Sequence, residues 1–234
     1  MLRALRRLAA LLAVLLGGSI LLILSGARRR RLLHGWARAI AAVLRVRVEV
    51  HGAPPRAPFL LVANHLSYLD VIVLASQIPG CVFVAKAEVR RWPFLGPICA
   101  ALGTLFVDRG SRSDVPRVLA AMEEALARGL GVIVFPEGTS TEGATVGPFR
   151  SPLLAAAARL GRPVHAAVLR YREPAVCWWG DASLAPHLWS LLKLPELELT
   201  LDCTAPPVVE TDRKLLAERL RERVLERFPI SRAQ

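Results

Sequence analysis

The chain has 234 residues, 53% of them hydrophobic, and a formal charge of +12. That length suits one large domain or a domain with an appendage, and there is ample material for a core. Nine of the twelve net charges fall in residues 1–50, where ten arginines face Glu49 alone; with no RNA- or DNA-binding motif beside them, they argue against a nucleic-acid partner and for an anionic membrane surface. The first element is Leu8 to Leu24, an uncharged stretch broken only by Gly17, Gly18 and Ser19. As a helix it reaches about 26 Å at 1.5 Å per residue, the short end for a membrane span. A cleaved signal peptide ending in Ser25-Gly26-Ala27 competes with that reading, but Arg28 to Arg31 follow at once and such a block hinders translocation. The expectation is a retained anchor that spans the bilayer or dips into its cytoplasmic leaflet.

Residues 31–45 form a second predicted helix, with Leu32, Leu33, Trp36, Ala37, Ile40, Val43 and Leu44 at helical spacing among arginines. A basic amphipathic helix with a tryptophan, placed after an apolar one, suits a membrane interface. The expected organisation is an anchor and amphipathic helix over 1–45 and a catalytic domain over 46–234. Strands are expected at Val46–Val50, Phe59–Ala63, Cys81–Ala85, Leu105–Val107, Gly131–Phe135, Val164–Leu169 and Glu196–Leu201. Helices are expected at Val71–Ile78, Asp114–Ala127, Ser151–Leu160 and Asp212–Phe228. Strands alternating with helices predict an α/β fold, a mostly buried central sheet flanked by helices, carrying an N-terminal apolar helical segment as anchor. Cys81, Cys99, Cys177 and Cys203 form no C-x-x-C pair and read as free thiols in a reducing compartment.

Three polar clusters follow apolar strand runs, where α/β folds gather functional residues. They are Asn64-His65-Leu66-Ser67-Tyr68-Leu69-Asp70, Gly103-Thr104-Leu105-Phe106-Val107-Asp108-Arg109 and Phe135-Pro136-Glu137-Gly138-Thr139. His65 and Asp70 stand roughly 140° apart on one continuous helix, so the pair works only if His65 lies on a loop and Asp70 in the first turn of the next helix. Ser67 is then the expected N-cap. Asp70, favoured as an anion there, can accept from one ring nitrogen of His65 and leave the other free as a base. A capping histidine beside a capping aspartate is the bland alternative. There is no G-x-S-x-G elbow and no H-E-x-x-H, so neither that serine-hydrolase design nor a metal site is expected. Ser67 and Ser140 remain as candidate nucleophiles. A base with no protein nucleophile suits activation of a substrate hydroxyl.

Asn64-His65-x4-Asp70, the Gly103–Arg109 run and Phe135–Thr139 resemble, in order, the first three motifs of the glycerolipid acyltransferases. That family includes bacterial 1-acylglycerol-3-phosphate acyltransferases. Lys86, Pro93 and Gly96 look like its approach to the second motif, and Arg162-Pro163-Val164-His165 like its fourth. The resemblance implies transfer of a fatty acyl chain from acyl-CoA or acyl carrier protein to a lysolipid hydroxyl, with no other cofactor. It implies His65 as general base and Asp70 as the residue that holds its tautomer. Arg109 and Lys86 would hold an anionic head group. Glu137, Gly138 and Thr139 would shape the acceptor site, the Gly138 amide donating to an anion. It further implies the cytoplasmic (inner) membrane, with the catalytic domain facing the cytoplasm. Ser140 stands where phosphate-using members usually carry arginine, and Arg150 is the candidate replacement cation. Trp178-Trp179-Gly180-Asp181 and Pro186-His187-Leu188-Trp189 resemble a branch containing lyso-ornithine-lipid acyltransferases; as plain residues, those tryptophans read as packing or interfacial groups. The expected acceptor is 1-acylglycerol-3-phosphate, with lyso-ornithine lipid second. A membrane-anchored hydrolase or thioesterase and a silent lipid-binding scaffold are the readings from other classes.

Overall fold

A computed structural model describes residues 1–24, 29–92, 96, 99–100, 102–108, 110–111 and 113–228. In chain order the elements are α1 (Leu2–Leu24), α2 (Arg29–Leu44), β1 (Val46–His51), β2 (Leu60–Ala63), α3 (Leu69–Gln77), β3 (Cys81–Lys86), β4 (Leu105–Val107), α4 (Asp114–Ala127), β5 (Gly131–Val134), α5 (Ala155–Arg159), β6 (Val164–Tyr171), α6 (Leu184–Lys193), β7 (Leu197–Asp202) and α7 (Arg213–Leu225). The seven strands form one sheet in the order β1-β7-β6-β2-β5-β3-β4. All neighbouring pairs are parallel except β6 with β7. The predicted α/β sheet is therefore present.

Strand periodicity sorts the core into two layers. From β2, Leu60 and Val62 join Val132, Val134, Val164 and Ala166 on the face covered by α4, α5 and α7. Leu61 and Ala63 join Ile133, Ala167 and Leu169 on the other face, under Val73 and Leu74 of α3, Ile78 just after it and Ala37 of α2. Strands buried on both faces are near-continuous apolar runs, as LLVA and GVIV are.

The N-terminal helices are packed into the body of the protein. Ala4 and Leu11 of α1 and Ile40 and Leu44 of α2 share a core with Leu69, Leu191, Leu192 and Leu197. Trp36 donates from Nε1 to the Val14 carbonyl at 2.9 Å. Its ring lies where a side chain on residue 18 would stand, so only glycine fits there. Arg7, counted in the sequence among the charges flanking an anchor, is buried instead. It donates to the carbonyls of Leu192 (3.3 Å), Leu194 (2.5 Å) and Pro195 (2.6 Å), closing the C-terminal end of α6, where a cation is favoured. Among the described residues no helix is long and apolar enough to cross a membrane. The opposite face of α1 leaves Leu5, Leu12, Leu16 and Ile20 exposed.

Several expectations change in detail. The helix expected over Ser151–Leu160 is a 3-10 turn, Pro152–Leu154, followed by the short α5. Residues 184–193, read only as a tryptophan-bearing segment, are a helix despite Pro186, which falls in its first turn where a missing N–H costs nothing. Asp212 is the N-cap of α7 rather than its first residue, accepting from the amides of Lys214 and Leu215. Ser25 to Arg28, the expected cleavage region and start of the basic block, and Pro93 lie outside the described residues.

Candidate active site

Strands β2, β3, β4 and β5 are parallel, so their C-terminal ends form one edge. Asn64, His65, Lys86, Asp108 and Phe135 to Glu137 leave the sheet there. Asn64 continues β2 with its side chain. Its Nδ2 donates to the Leu169 carbonyl at 2.9 Å, and its Oδ1 accepts the Leu169 amide at 2.8 Å. The side chain thus occupies the backbone groups of β6 and lets the main chain turn away toward His65.

His65 is fixed from four directions. Its amide donates to Glu137 Oε1 at 2.7 Å. Its carbonyl accepts the Thr141 amide at 3.0 Å and the Thr141 hydroxyl at 3.3 Å. Its ring stacks on Phe135, with centroids 4.2 Å apart and planes 20° from parallel. Its Nδ1 donates to Asp70 Oδ2 at 2.8 Å. An ionised carboxylate can only accept, so the proton is on Nδ1 and the Nε2 lone pair is free in the neutral ring. Nε2 has no partner among the described residues, and the side chain is 20% exposed. A partly exposed base with a fixed ring and an uncommitted lone pair results.

Asp70 is fully buried in the first turn of α3, as the loop-then-helix argument requires. Its Oδ2 accepts from His65 Nδ1, from the Leu66 amide at 2.7 Å and from the Ser67 amide at 2.9 Å. Its Oδ1 accepts from the Tyr171 hydroxyl at 2.9 Å. No lysine or arginine is among these donors. Ser67 is not the N-cap. Tyr68 holds that position without a side-chain bond, because the Asp70 amide that a Ser67 hydroxyl would take is bonded to the Ser67 carbonyl at 3.1 Å. The Ser67 hydroxyl is buried with no partner among the described residues, so it has no base to activate it as a nucleophile.

Glu137 is buried, and both its oxygens are used: Oε1 by the His65 amide and Oε2 by the Gly147 amide at 2.8 Å. Burial raises its carboxyl above the ordinary value, opposed by these two amides. It therefore positions His65 rather than facing open space. Gly138 has φ +84° and closes the turn after Pro136. Its amide, expected as an anion donor, donates to the Phe135 carbonyl at 3.1 Å and is already used. Thr139, Lys86 and Arg150 are exposed. Lys86 is level with Val107 at the strand ends, and the Arg150 amide donates to the Pro136 carbonyl, so both residues sit along the edge that holds His65. Arg109 lies outside the described residues.

His165, in the fourth motif, pairs with Leu61 at the far end of the sheet, away from His65. That strand reaches the site at its other end, through Leu169 and Tyr171. Sequence reading missed Tyr171, because nothing in its spacing ties it to Asp70, 101 residues away. All four cysteines are free. Cys177 lies beside Leu66 and Gly143; burial, then Asp70 and Glu142, push its thiol to about 11, which leaves it inert as a nucleophile at neutral pH. The Trp178 amide donates to the Leu66 carbonyl at 2.8 Å, and its ring meets Tyr68 and Trp92 edge-on. Among the described residues no group of three potential metal ligands converges.

The family model described as Acyltransferase matches residues 46–170, which contain the whole constellation apart from Tyr171. The lyso-ornithine lipid O-acyltransferase of Pseudomonas aeruginosa is 36% identical over 200 residues, covering 83% of this chain and 77% of that protein. The 1-acyl-sn-glycerol-3-phosphate acyltransferase of Neisseria meningitidis is 32% identical over 196 residues, covering 80% of this chain and 76% of that protein. The crystal structure of the 1-acyl-sn-glycerophosphate acyltransferase of Thermotoga maritima has the same fold, with a TM-score of 0.60 at 23% identity over 99% of both chains.

Proposed function

The chain belongs to the acyltransferase family, and from that premise we propose that it acylates the free hydroxyl of a lysolipid, with His65 as general base. The observation that carries this reading is the His65 ring, with Nδ1 committed to buried Asp70, Nε2 without a partner among the described residues, and the side chain 20% exposed. Nε2 takes the proton of the acceptor hydroxyl as its oxygen attacks the carbonyl of an acyl thioester. The C–S bond then breaks, and the departing thiolate recovers the proton from the imidazolium. Such a base contributes roughly 10²–10⁴-fold. Asp70 stabilises the imidazolium. The donor is acyl-CoA or acyl carrier protein.

For the acceptor, 1-acylglycerol-3-phosphate is the first reading. Exposed Lys86 and Arg150 at the catalytic edge, with Arg109 of the second motif, supply cations for a phosphate monoester of charge about −1.5 to −2. Ser140 supports lyso-ornithine lipid as the second reading, since a zwitterionic head needs fewer cations, and the 36% identical Pseudomonas relative bears that name. The exposed leucines of α1 support attachment to the cytoplasmic membrane through residues 1–45, with the catalytic edge facing the cytoplasm, where thioester donors are made.

The test is an acyl-transfer assay on the purified full chain. Labelled acyl-CoA and acyl carrier protein are offered separately with a panel of lysolipids. A diacyl product from one acceptor is expected. Free fatty acid as the sole product, whatever the acceptor, would sink the reading in favour of a hydrolase.

A further inference from the structure

Asp70 has two oxygens with unequal surroundings. Oδ2 is crowded by His65 Nδ1 and two backbone amides, while Oδ1 has one donor, the Tyr171 hydroxyl at 2.9 Å. The carboxylate is fully buried, and among the described residues no lysine or arginine donates to it. In such surroundings an ion depends on its hydrogen bonds. We propose that Tyr171 is a positioning residue for the acyl transfer: its hydroxyl fixes the rotation of the Asp70 carboxylate and carries part of its charge, and so sets how strongly His65 holds a proton.

The placement of Tyr171 follows from the sheet. It is the last residue of β6, two beyond Leu169, whose backbone is held by Asn64. The one strand thus fixes Asn64 at the start of the catalytic loop and Asp70 at its end. The Tyr171 ring packs at the meeting point of all three core clusters, which restrains the hydroxyl. Burial, then the negative charge of Asp70, hold its phenol well above 10, so it stays a donor throughout the working pH range. Other titratable groups around the carboxylate are His65 and Tyr68 on its own loop, Glu137 beyond β5, and Cys177 before α6. Only His65 and Tyr171 reach its oxygens with side-chain bonds among the described residues.

A donor on Oδ1 draws charge away from Oδ2. Removing it leaves Oδ2 more basic, so the imidazolium is held more tightly and the base is lost at a higher pH. This rests on His65 being the base, so the experiment reads His65 itself as well as turnover. The full chain is prepared with ¹⁵N-histidine as wild type, as Tyr171→Phe, and with mono- and difluorotyrosine at 171. Fluorine strengthens the phenol as a donor and leaves the ring packing in place. In Tyr171→Phe the NMR titration of His65 should move up by about 0.5–1 pH unit, and the acidic limb of kcat/KM should move with it. Because the carboxylate is then free to rotate and no longer holds the ring in one orientation, the kcat plateau should still fall roughly 10-fold, with acceptor KM little changed. The fluorotyrosines should move the titration down in graded order, a response that loss of packing cannot produce. They also keep the test alive if Tyr171→Phe folds poorly. A His65 titration indifferent to all three substitutions overturns the proposal. A titration that shifts while the kcat/KM limb stays fixed supports the Tyr171 role and tells against His65 as base.

Discussion

Replacing Asp70 with asparagine separates the charge of this residue from its geometry. The amide fits the site in one orientation. Its oxygen takes the place of Oδ2 and accepts from His65 Nδ1 and the Leu66 and Ser67 amides, while its NH₂ faces Tyr171, whose hydroxyl turns from donor to acceptor. All four contacts survive, so the fold should hold with Tm within about 3 °C, and His65 should keep its Nδ1 proton. What is lost is the negative charge beside a ring that becomes positive during transfer. Unit charges about 4 Å apart at an effective dielectric of about 20 interact by about 4 kcal/mol. The amide dipole recovers part of this, leaving a deficit of about 3–4 kcal/mol, or a fall in kcat of about 10²–10³-fold. Steady-state kinetics at saturating donor and acceptor, beside a thermal unfolding curve, measures both quantities. Turnover within about five-fold of wild type would refute the charge argument. Loss of the folded state would refute the geometric one.

Two further substitutions probe the supports of the site. Glu137→Gln leaves one of two half-buried amides, His65 or Gly147, facing an NH₂ group, at a cost of about 1–2 kcal/mol, so Tm should drop by several degrees and kcat should fall; unchanged stability would show that these amides find other partners. The same carboxyl predicts a pH trend. Its folded value lies above the ordinary 4.5, so its stabilisation is complete below 4.5, where the unfolded chain is also protonated, and declines as pH rises through the folded value. In Glu137→Gln that part of the stability-versus-pH curve should flatten, and an identical slope in wild type and variant would contradict the assignment. Arg7→Leu removes three bonds to the end of α6; the prediction is a loss of about 2–3 kcal/mol, seen as a lower Tm and faster proteolysis between α1 and β1, and an unaltered digest would show that α1 docks by apolar contact alone.

Much of the site was legible because its chemistry lies in short segments. A histidine after an apolar strand, with an aspartate five residues on, admits the hydrogen bond only across a loop-to-helix junction, and the structure has that junction. Apolar runs, continuous in the central strands and alternating in β1 and β7, likewise located every strand to within a residue or two. What stayed hidden depends on contacts between distant segments. Tyr171 reaches Asp70 because β6 lies beside β2, and no local pattern in VHAAVLRY records that neighbour. The resemblance puts Glu137 at the acceptor site, and its sequence does not show that the His65 and Gly147 amides would each take one of its oxygens. Ser67 looked like a cap because the capping rule reads residue type, whereas the Asp70 amide had a backbone acceptor nearer to hand. Arg7 resembled its arginine neighbours until α6 brought three orphan carbonyls to it.

The central claim is that His65 Nε2 accepts the proton of the lysolipid hydroxyl. Turnover of purified His65→Ala with the preferred lysolipid tests it most directly, alongside circular dichroism and thermal unfolding to establish that the variant is folded. The account predicts a near-native unfolding curve and acyl transfer reduced by at least about 10²-fold. A folded His65→Ala protein that transfers acyl groups within a few-fold of the wild-type rate would contradict it.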